Sequence, residues 1–346
     1  MIIFLPANIR PTGGSSNFAL KLQRGLRPKK HLVVFKFTPR FDLLLVNATC
    51  PIRYLLFAKL TRRPIVHRLD GVYYPMSVAR WKYIFYNLPM QIILHFFANA
   101  VIYQSQYSKD CCDKFLGTNH YIPNHLVYNG VDTQLFSHHG STRQLRDVPE
   151  QPIFITASRF RRSDQILPLI DAFRLYQKNY QARAKLIIVG DFSHAVTNFP
   201  QQYTNDSLIS FLGPIPNGQL PEYYRGADVF LFTHLNPPCP NNIIEAMACG
   251  LPICGIADGA MAEITTPDLN SALIPAPGSG FNQSRRLDLH AFAANLNKIM
   301  LHRKEYASHS RRIASQQFTL QQMIRRYLSA ITPLVEHSSS YQINFS

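Results

Sequence analysis

The chain has 346 residues, 46% of them apolar, with 36 Lys and Arg against 20 Asp and Glu and a formal net charge of +16. That length excludes one ordinary core, so two domains are expected, and the apolar fraction suffices to bury both. The charge is uneven: residues 1–150 hold 19 Lys/Arg and 7 Asp/Glu, net +12, and residues 151–346 hold 17 and 13, net +4. The first half therefore prefers an acidic partner: anionic lipid, an acidic glycan or nucleic acid. A solvated basic surface with no particular partner fits the same count.

In chain order, Met1 to Leu5 is apolar but too short for a signal peptide and meets Pro6 at once. Short apolar runs then alternate with helical patterns, which predicts parallel sheets with crossover helices. The runs at 2–5, 32–37, 42–46, 64–68 and 100–104 read as strands. After the first comes a glycine loop with Gly13 and Gly14, then Phe18, Ala19 and Leu22 at helical spacing. The most apolar stretch, 88–103, is interrupted by Gln91, His95 and Asn99. It is shorter than the ~20 apolar residues a spanning helix needs, so it reads as a buried helix running into a strand. Asn129-Gly130 marks a turn, and the polar stretch 137–151 reads as the linker.

The second half restarts with a strand at 152–157, then a helix striped by Ile166, Leu169, Ile170 and Phe173. Strands are expected at 185–189, 208–212, 228–233 and 252–256, with a short helix at 220–225. Leu289, Phe292, Leu296, Ile299 and Met300 mark an amphipathic helix, two more helical stretches reach Val335, and the polar tail 337–346 is expected to fray. The six cysteines lack metal spacing and read as reduced thiols of a cytosolic protein.

The most informative segment is Pro237-Pro238-Cys239-Pro240-Asn241-Asn242-Ile243-Ile244-Glu245-Ala246-Met247-Ala248-Cys249-Gly250-Leu251-Pro252. It reads as a loop, a short helix and the start of a strand. Proline suits a helix's first turn, and Asn241 or Asn242 is a good cap. Gly250 and Pro252 end the helix. A helix start offers backbone N–H groups to a phosphate, and Glu245, one turn on, adds a hydrogen-bond acceptor. A diphosphate bearing a ribose needs that combination.

These features together resemble the family 4 glycosyltransferases of the GT-B fold. The likeness includes Asn129-Gly130-Val131-Asp132, Ala157-Ser158-Arg159-Phe160, Leu186-Ile187-Ile188-Val189-Gly190-Asp191, Phe211-Leu212-Gly213-Pro214, the run 223–231, the segment 245–252 and Asp258-Gly259-Ala260-Met261-Ala262-Glu263. The resemblance implies an α/β architecture of two Rossmann-like domains facing each other across a cleft. Residues 1–148, with a returning helix at 319–336, would bind the acceptor, and 149–318 the nucleotide sugar. The implied reaction is sugar transfer with retention at the anomeric carbon, without a required metal or other cofactor. The donor would be UDP- or GDP-linked. The acceptor would be a glycan or lipid-linked, in polysaccharide or lipopolysaccharide biosynthesis.

Without a metal, cations and backbone N–H groups must already stand where charge grows on the departing diphosphate. Arg159 matches the arginine of the family's phosphate loop, with Arg161 and Arg162 beside it. Glu245 matches the glutamate that accepts from the ribose hydroxyls, Asn241 and Asn242 lie at the helix start, and Gly13 and Gly14 match a glycine loop that lets the backbone close on the diphosphate. His67 or Asp70, at the end of a first-half strand, would position or deprotonate the acceptor hydroxyl. His67 reads equally as a structural histidine.

Two positions depart from the family. Asp164 stands where a lysine pairs with donor phosphate, and Pro237 where an acid lies near the transferred sugar. A unit charge ~4 Å away is worth about 4 kcal/mol at an effective dielectric near 20, and Arg161 or Arg162 would restore the cation. An active transferase at the cytoplasmic membrane face, in peripheral contact with anionic lipid, is the first reading. A catalytically impaired homologue that binds a nucleotide sugar or a partner is the second. A nucleic-acid binder lacks an interleaved Arg-aromatic groove, so no nucleic-acid partner is expected.

Overall fold

A strand in a parallel sheet is buried on both faces once a crossover helix returns along it, so it reads as a short unbroken apolar run. A computed structural model describes residues 1–9, 14–75, 78, 81–161, 163–180, 182–192, 206–276 and 287–343. The chain divides into two compact units, Met1–Gly130 with Leu320–Ser346, and Val131–Thr319.

The first unit runs β1 (Ile2–Phe4), α1 (Gly14–Leu26), β2 (Leu32–Val34), β3 (Leu43–Asn47), α2 (Ile52–Leu60), β4 (Ile65–Leu69), α3 (Lys82–Ile92), a π-helical turn (Ile93–Phe97), β5 (Ala100–Tyr103), α4 (Gln106–Leu116) and β6 (Asn124–Leu126). All pairings are parallel, in the order β2-β1-β3-β4-β5-β6. Alternation splits the core. Leu43 and Leu45 pack with Phe18 and Leu22 of α1, whereas Leu44 and Val46 pack with Leu55 and Ala58 of α2 and Ile93 of the π-helical turn.

The second unit runs β7 (Ile153–Ala157), α5 (Leu167–Tyr180), β8 (Lys185–Val189), β9 (Ile209–Leu212), α6 (Leu220–Gly226), β10 (Val229–Phe232), α7 (Asn241–Ala248), β11 (Ile253–Ala257), α8 (Met261–Ile264), β12 (Ser271–Pro275), α9 (Leu289–Leu301) and α10 (Arg303–Gln317). Its parallel order is β12-β11-β10-β7-β8-β9. One core packs α5 and α9 together on one face of this sheet, through Phe173, Phe154, Phe292 and Leu296. The last helix, α11 (Leu320–Ile343), belongs to the first unit, where Met323, Ile324 and Tyr327 join the cluster around α1.

Four expectations are corrected. The strand expected at 32–37 stops at Val34. The polar tail expected to fray from His337 is helical as far as Ile343. The stretch 88–103 is not a buried helix: it is the end of α3, the π-helical turn and β5, and Leu88, Ile92 and Phe96 are exposed. The polar stretch 137–151 falls inside the second unit, whose boundary lies at 130/131 and not 148/149. The reason is bonding. Arg225 donates to Ser137 O and Ser141 O, Arg143 N donates to Glu222 O, and Arg146 pairs with Asp228 at 2.7 Å. All six cysteines are free thiols, five of them buried. Burial holds the Cys50 and Cys249 thiols up at about 12, in their neutral form.

Candidate functional site

In an open parallel sheet the crevice for a ligand forms at the carboxyl edge where the strand order reverses. In the second unit that point lies between β7 and β10. The sequence leaving β7 is Ser158-Arg159-Phe160. Ser158 N donates to Val189 O (3.0 Å) and Phe160 N to Asp191 O (2.8 Å), so this loop lies along the end of β8. Gly190 permits the approach: its φ is +127°, and a Cβ there would stand 1.8 Å from Ser158 O.

The segment leaving β10 docks on the loop after β11. Asn236 N donates to Asp258 Oδ2 (2.6 Å) and Ala260 N to Pro237 O (2.9 Å). Gly259, at φ +60°, lies so close that a Cβ would stand 2.3 Å from the Pro237 ring. Pro237, which replaces the expected acid, is thus a buried strut between two loops.

Helix α7 then starts at Asn241 behind Pro240, which takes the N-cap position and offers no side-chain bond, while Asn242, inside the first turn, accepts from Ile243 N with its Oδ1 (3.1 Å). Asn242 also donates its Nδ2 to Ala157 O (2.8 Å), stitching the first turn of α7 to the end of β7. The first turn of a helix carries N–H groups with no intrahelical acceptor and a partial positive charge, and this stitch holds that turn against the strand that leads into Arg159. At the other end Arg311 donates to Ala248 O (2.5 Å), Phe136 O (2.9 Å) and Thr133 O (3.3 Å), a cation at the negative pole of the helix.

Glu245, one turn in from the asparagines, is 3% exposed. Asn217 donates to its Oε2 at 3.5 Å from the turn after β9. A buried carboxylate needs such donors, and Asn217 is a partner of Glu245 that sequence reading missed. Burial, together with the Glu245 charge, holds the Tyr224 hydroxyl well above its ordinary pKa, as a neutral phenol. Arg159 is 55% exposed and pairs with Asp191, Nε to Oδ2 3.3 Å. An exposed pair of this kind is worth little, so Arg159 can exchange Asp191 for another anion. Arg161 N donates to Gln165 Oε1 (2.7 Å), and Arg161 is exposed. Arg162 and the Asp164 side chain lie outside the described residues. Among the described residues no group of three His, Cys, Asp or Glu gathers as metal ligands.

In the first unit the order reverses between β1 and β3. Gly14 opens α1 there, while Gly13 lies outside the described residues. Asn47, ending β3, donates to Ser15 Oγ of α1 at 2.6 Å. The two candidates on the β4 end part company. His67 is wholly buried, with Nε2 2.7 Å from Ala48 O and Nδ1 without a hydrogen-bond partner. Burial lowers its pKa to about 4. Asp70 keeps about a third of its side chain exposed and pairs with Arg68. Arg68 itself, which sequence reading passed over, is buried: it donates to Asn47 Oδ1 (2.7 Å), Tyr327 Oη (2.8 Å) and Asn129 Oδ1 (3.1 Å), and lies 3.6 Å from the Phe18 ring centre.

Residues 141–312 match the family model described as Glycosyl transferases group 1. That match covers most of the second unit. The two parallel six-stranded sheets with their helices make the fold GT-B. HepE of Anabaena, solved in complex with UDP-glucose, is similar over 96% of this chain and 99% of its own, at 19% identity and a TM-score of 0.73. Sucrose-phosphate synthase of Thermosynechococcus elongatus is similar over 97% and 99%, at 16% identity and a TM-score of 0.75. An uncharacterized glycosyltransferase of Methanocaldococcus jannaschii is 24% identical over 226 residues, 63% of this chain and 52% of that protein. The chain thus spans about half the length of that curated relative.

Proposed function

We propose that the protein is a retaining, metal-independent glycosyltransferase that moves a sugar from a nucleotide-sugar donor to a glycan or lipid-linked acceptor. The observation that carries this reading is Asn242 stitching the start of α7 to the end of β7, with Glu245 one turn inward and Arg159 two residues along. In this reading the diphosphate lies on the first turn of α7, at Asn241 and Asn242, with Arg159 and Arg162 as its cations. The carboxylate of Glu245 takes the ribose hydroxyls, displacing Asn217. As the glycosidic bond breaks, charge grows on the departing phosphate, and these groups stabilise it without moving. The donor is UDP- or GDP-linked; UDP-glucose, present in HepE, is the first to try.

The first unit binds the acceptor in this reading. The acceptor hydroxyl falls to Asp70, because His67 is wholly buried. The work is at the cytoplasmic face of a membrane. A second reading, donor binding without turnover, is favoured by one observation: Pro237 is a buried strut where an acid was expected. Incubation with UDP- and GDP-sugars, followed by measurement of released nucleoside diphosphate, separates the two. Turnover is expected from the wild type. Glu245→Gln should weaken nucleotide binding by about 1.5–3 kcal/mol, the worth of hydrogen bonds to a charged group, which calorimetry reads as about ten- to a hundredfold in Kd. An unchanged Kd would remove Glu245 from the site.

A further inference from the structure

Helix α3 buries Asn87 and Met90 and turns most of its other apolar side chains outward. Its buried polar side chain, Asn87, accepts from Tyr73 N (3.0 Å) and donates to Tyr73 O (2.8 Å). Trp81, at the N-cap, and Ile84, Phe85, Leu88 and Ile92 follow the i, i+3, i+4, i+7, i+11 spacing that normally faces a core. Here they face out, with Trp81 61%, Ile84 54% and Phe85 62% exposed. Phe96 in the π-helical turn is 75% exposed. Helix α2 repeats the pattern with Ile52, Leu56 and Leu60, and Leu55 and Ala58 of α2 share a core with Ile93 and Phe97, so α2 and the π-helical turn cover the same face of the sheet. Of the 18 large apolar side chains exposed among the described residues, 11 fall between residues 52 and 96, against three in the whole second unit. An apolar surface of that concentration marks an interaction site.

Charge decides what covers it. Residues 43–109 contain eight Lys/Arg and one carboxylate, Asp70, which Arg68 holds. The first unit as a whole has 19 Lys/Arg and 5 Asp/Glu, net +14, against +2 for the second. A second copy of this chain would bring two such surfaces together and repel. An anionic bilayer attracts the cations and takes in the apolar side chains. Among the described residues no helix is long and apolar enough to cross a membrane, so the surface lies on the bilayer.

We propose that the outer side of α2, α3 and the π-helical turn is the face on which the first unit rests on an anionic lipid bilayer, with Trp81, Phe85, Leu88 and Phe96 at headgroup depth. This deepens the membrane-facing part of the function proposed above and rests on it, but its test needs no turnover. Trp81 is the chain's single tryptophan, so intrinsic fluorescence reports from the surface itself. Vesicles of phosphatidylcholine mixed with phosphatidylglycerol should sediment the full chain and blue-shift its emission, while vesicles of phosphatidylcholine alone should do so far less. The double variant Phe85→Ser, Leu88→Ser should lose about tenfold or more in partitioning, since each side chain forfeits its transfer from water. Phe96→Ser, off the helix, provides an independent second variant. Both replace exposed side chains, and unchanged circular dichroism and nucleotide affinity serve as the folding control. Three results overturn the proposal. One is no sedimentation with anionic vesicles. Another is sedimentation with unshifted Trp81 emission and equal binding by the variants. The last is a wild type that self-associates where the double variant is monomeric, which assigns the surface to a second copy.

Discussion

Arg68 and His67 are neighbours on β4 with opposite fates. The Arg68 charge is buried but ringed by Asn47, Asn129, Tyr327 and Asp70, and Asn129 is held in turn by donating to Gln104 Oε1 at 2.8 Å. A buried charge persists only with partners of this kind. His67 has one partner, Ala48 O, and burial keeps its ring neutral. The folded ring titrates at about 4 and the unfolded ring at 6.5, so between those values only the unfolded chain holds the proton. The stability contribution of His67 is therefore complete above pH 6.5 and is lost as pH falls towards 4, by about 3 kcal/mol. Urea unfolding across that window should show a steeper loss for the wild type than for His67→Gln. An equal slope would mean that the buried ring is not the group that titrates. From sequence, the end of β4 offered His67 and Asp70 as alternatives. What separates them is depth, which no local pattern records.

At the scale of elements, the site depends on loops that touch backbone to backbone. Gly190 is the tightest point, where φ +127° and the 1.8 Å approach to Ser158 O leave no room for a side chain. Gly190→Ala should cost about 1–3 kcal/mol from backbone conformation alone, with the clash in addition. By pushing away Ser158 and Arg159 it should also weaken nucleotide binding. A denaturant midpoint and a calorimetric Kd measured on the same variant check both effects, and a stable variant with normal affinity would show that the loop can relax. Most elements were legible from apolar runs, and β8 falls on the expected residues 185–189. The errors share a cause. Apolar content made 88–103 read as buried, but it does not show that Leu88, Ile92 and Phe96 face out. Chemistry shows that Asn242 can accept from a helix start, but not that Ala157 O stands 2.8 Å from its Nδ2.

At the scale of the whole molecule, chain order and folding unit do not coincide. Helix α11 follows the entire second unit in sequence, yet it supplies Met323, Ile324, Tyr327, Ala330 and Ile331 to the core of the first. Burying a large apolar side chain is worth about 1.5–3 kcal/mol, and a domain's net stability is only about 5–15 kcal/mol. A chain ending at Thr319 should therefore lose the first unit while keeping the second, whose core is separate. Limited proteolysis should digest residues 1–130 of the truncated chain and leave a fragment covering 131–319 that still binds nucleotide. A truncated chain with both units resistant would show that α11 is dispensable.

The sequence by itself determined the parallel α/β architecture, the helix carrying Glu245, the arginine after β7 and the basic bias of the first half. Each of these is written in residues close together in the chain, as periodicity, punctuation or count. Only the tertiary structure decided that Asn217 donates to Glu245, that Pro237 is a strut, that His67 is sealed in and that an apolar helix face is left bare. Those facts depend on which distant segments pack together and which surfaces nothing covers. Chain-local patterns hold no record of either.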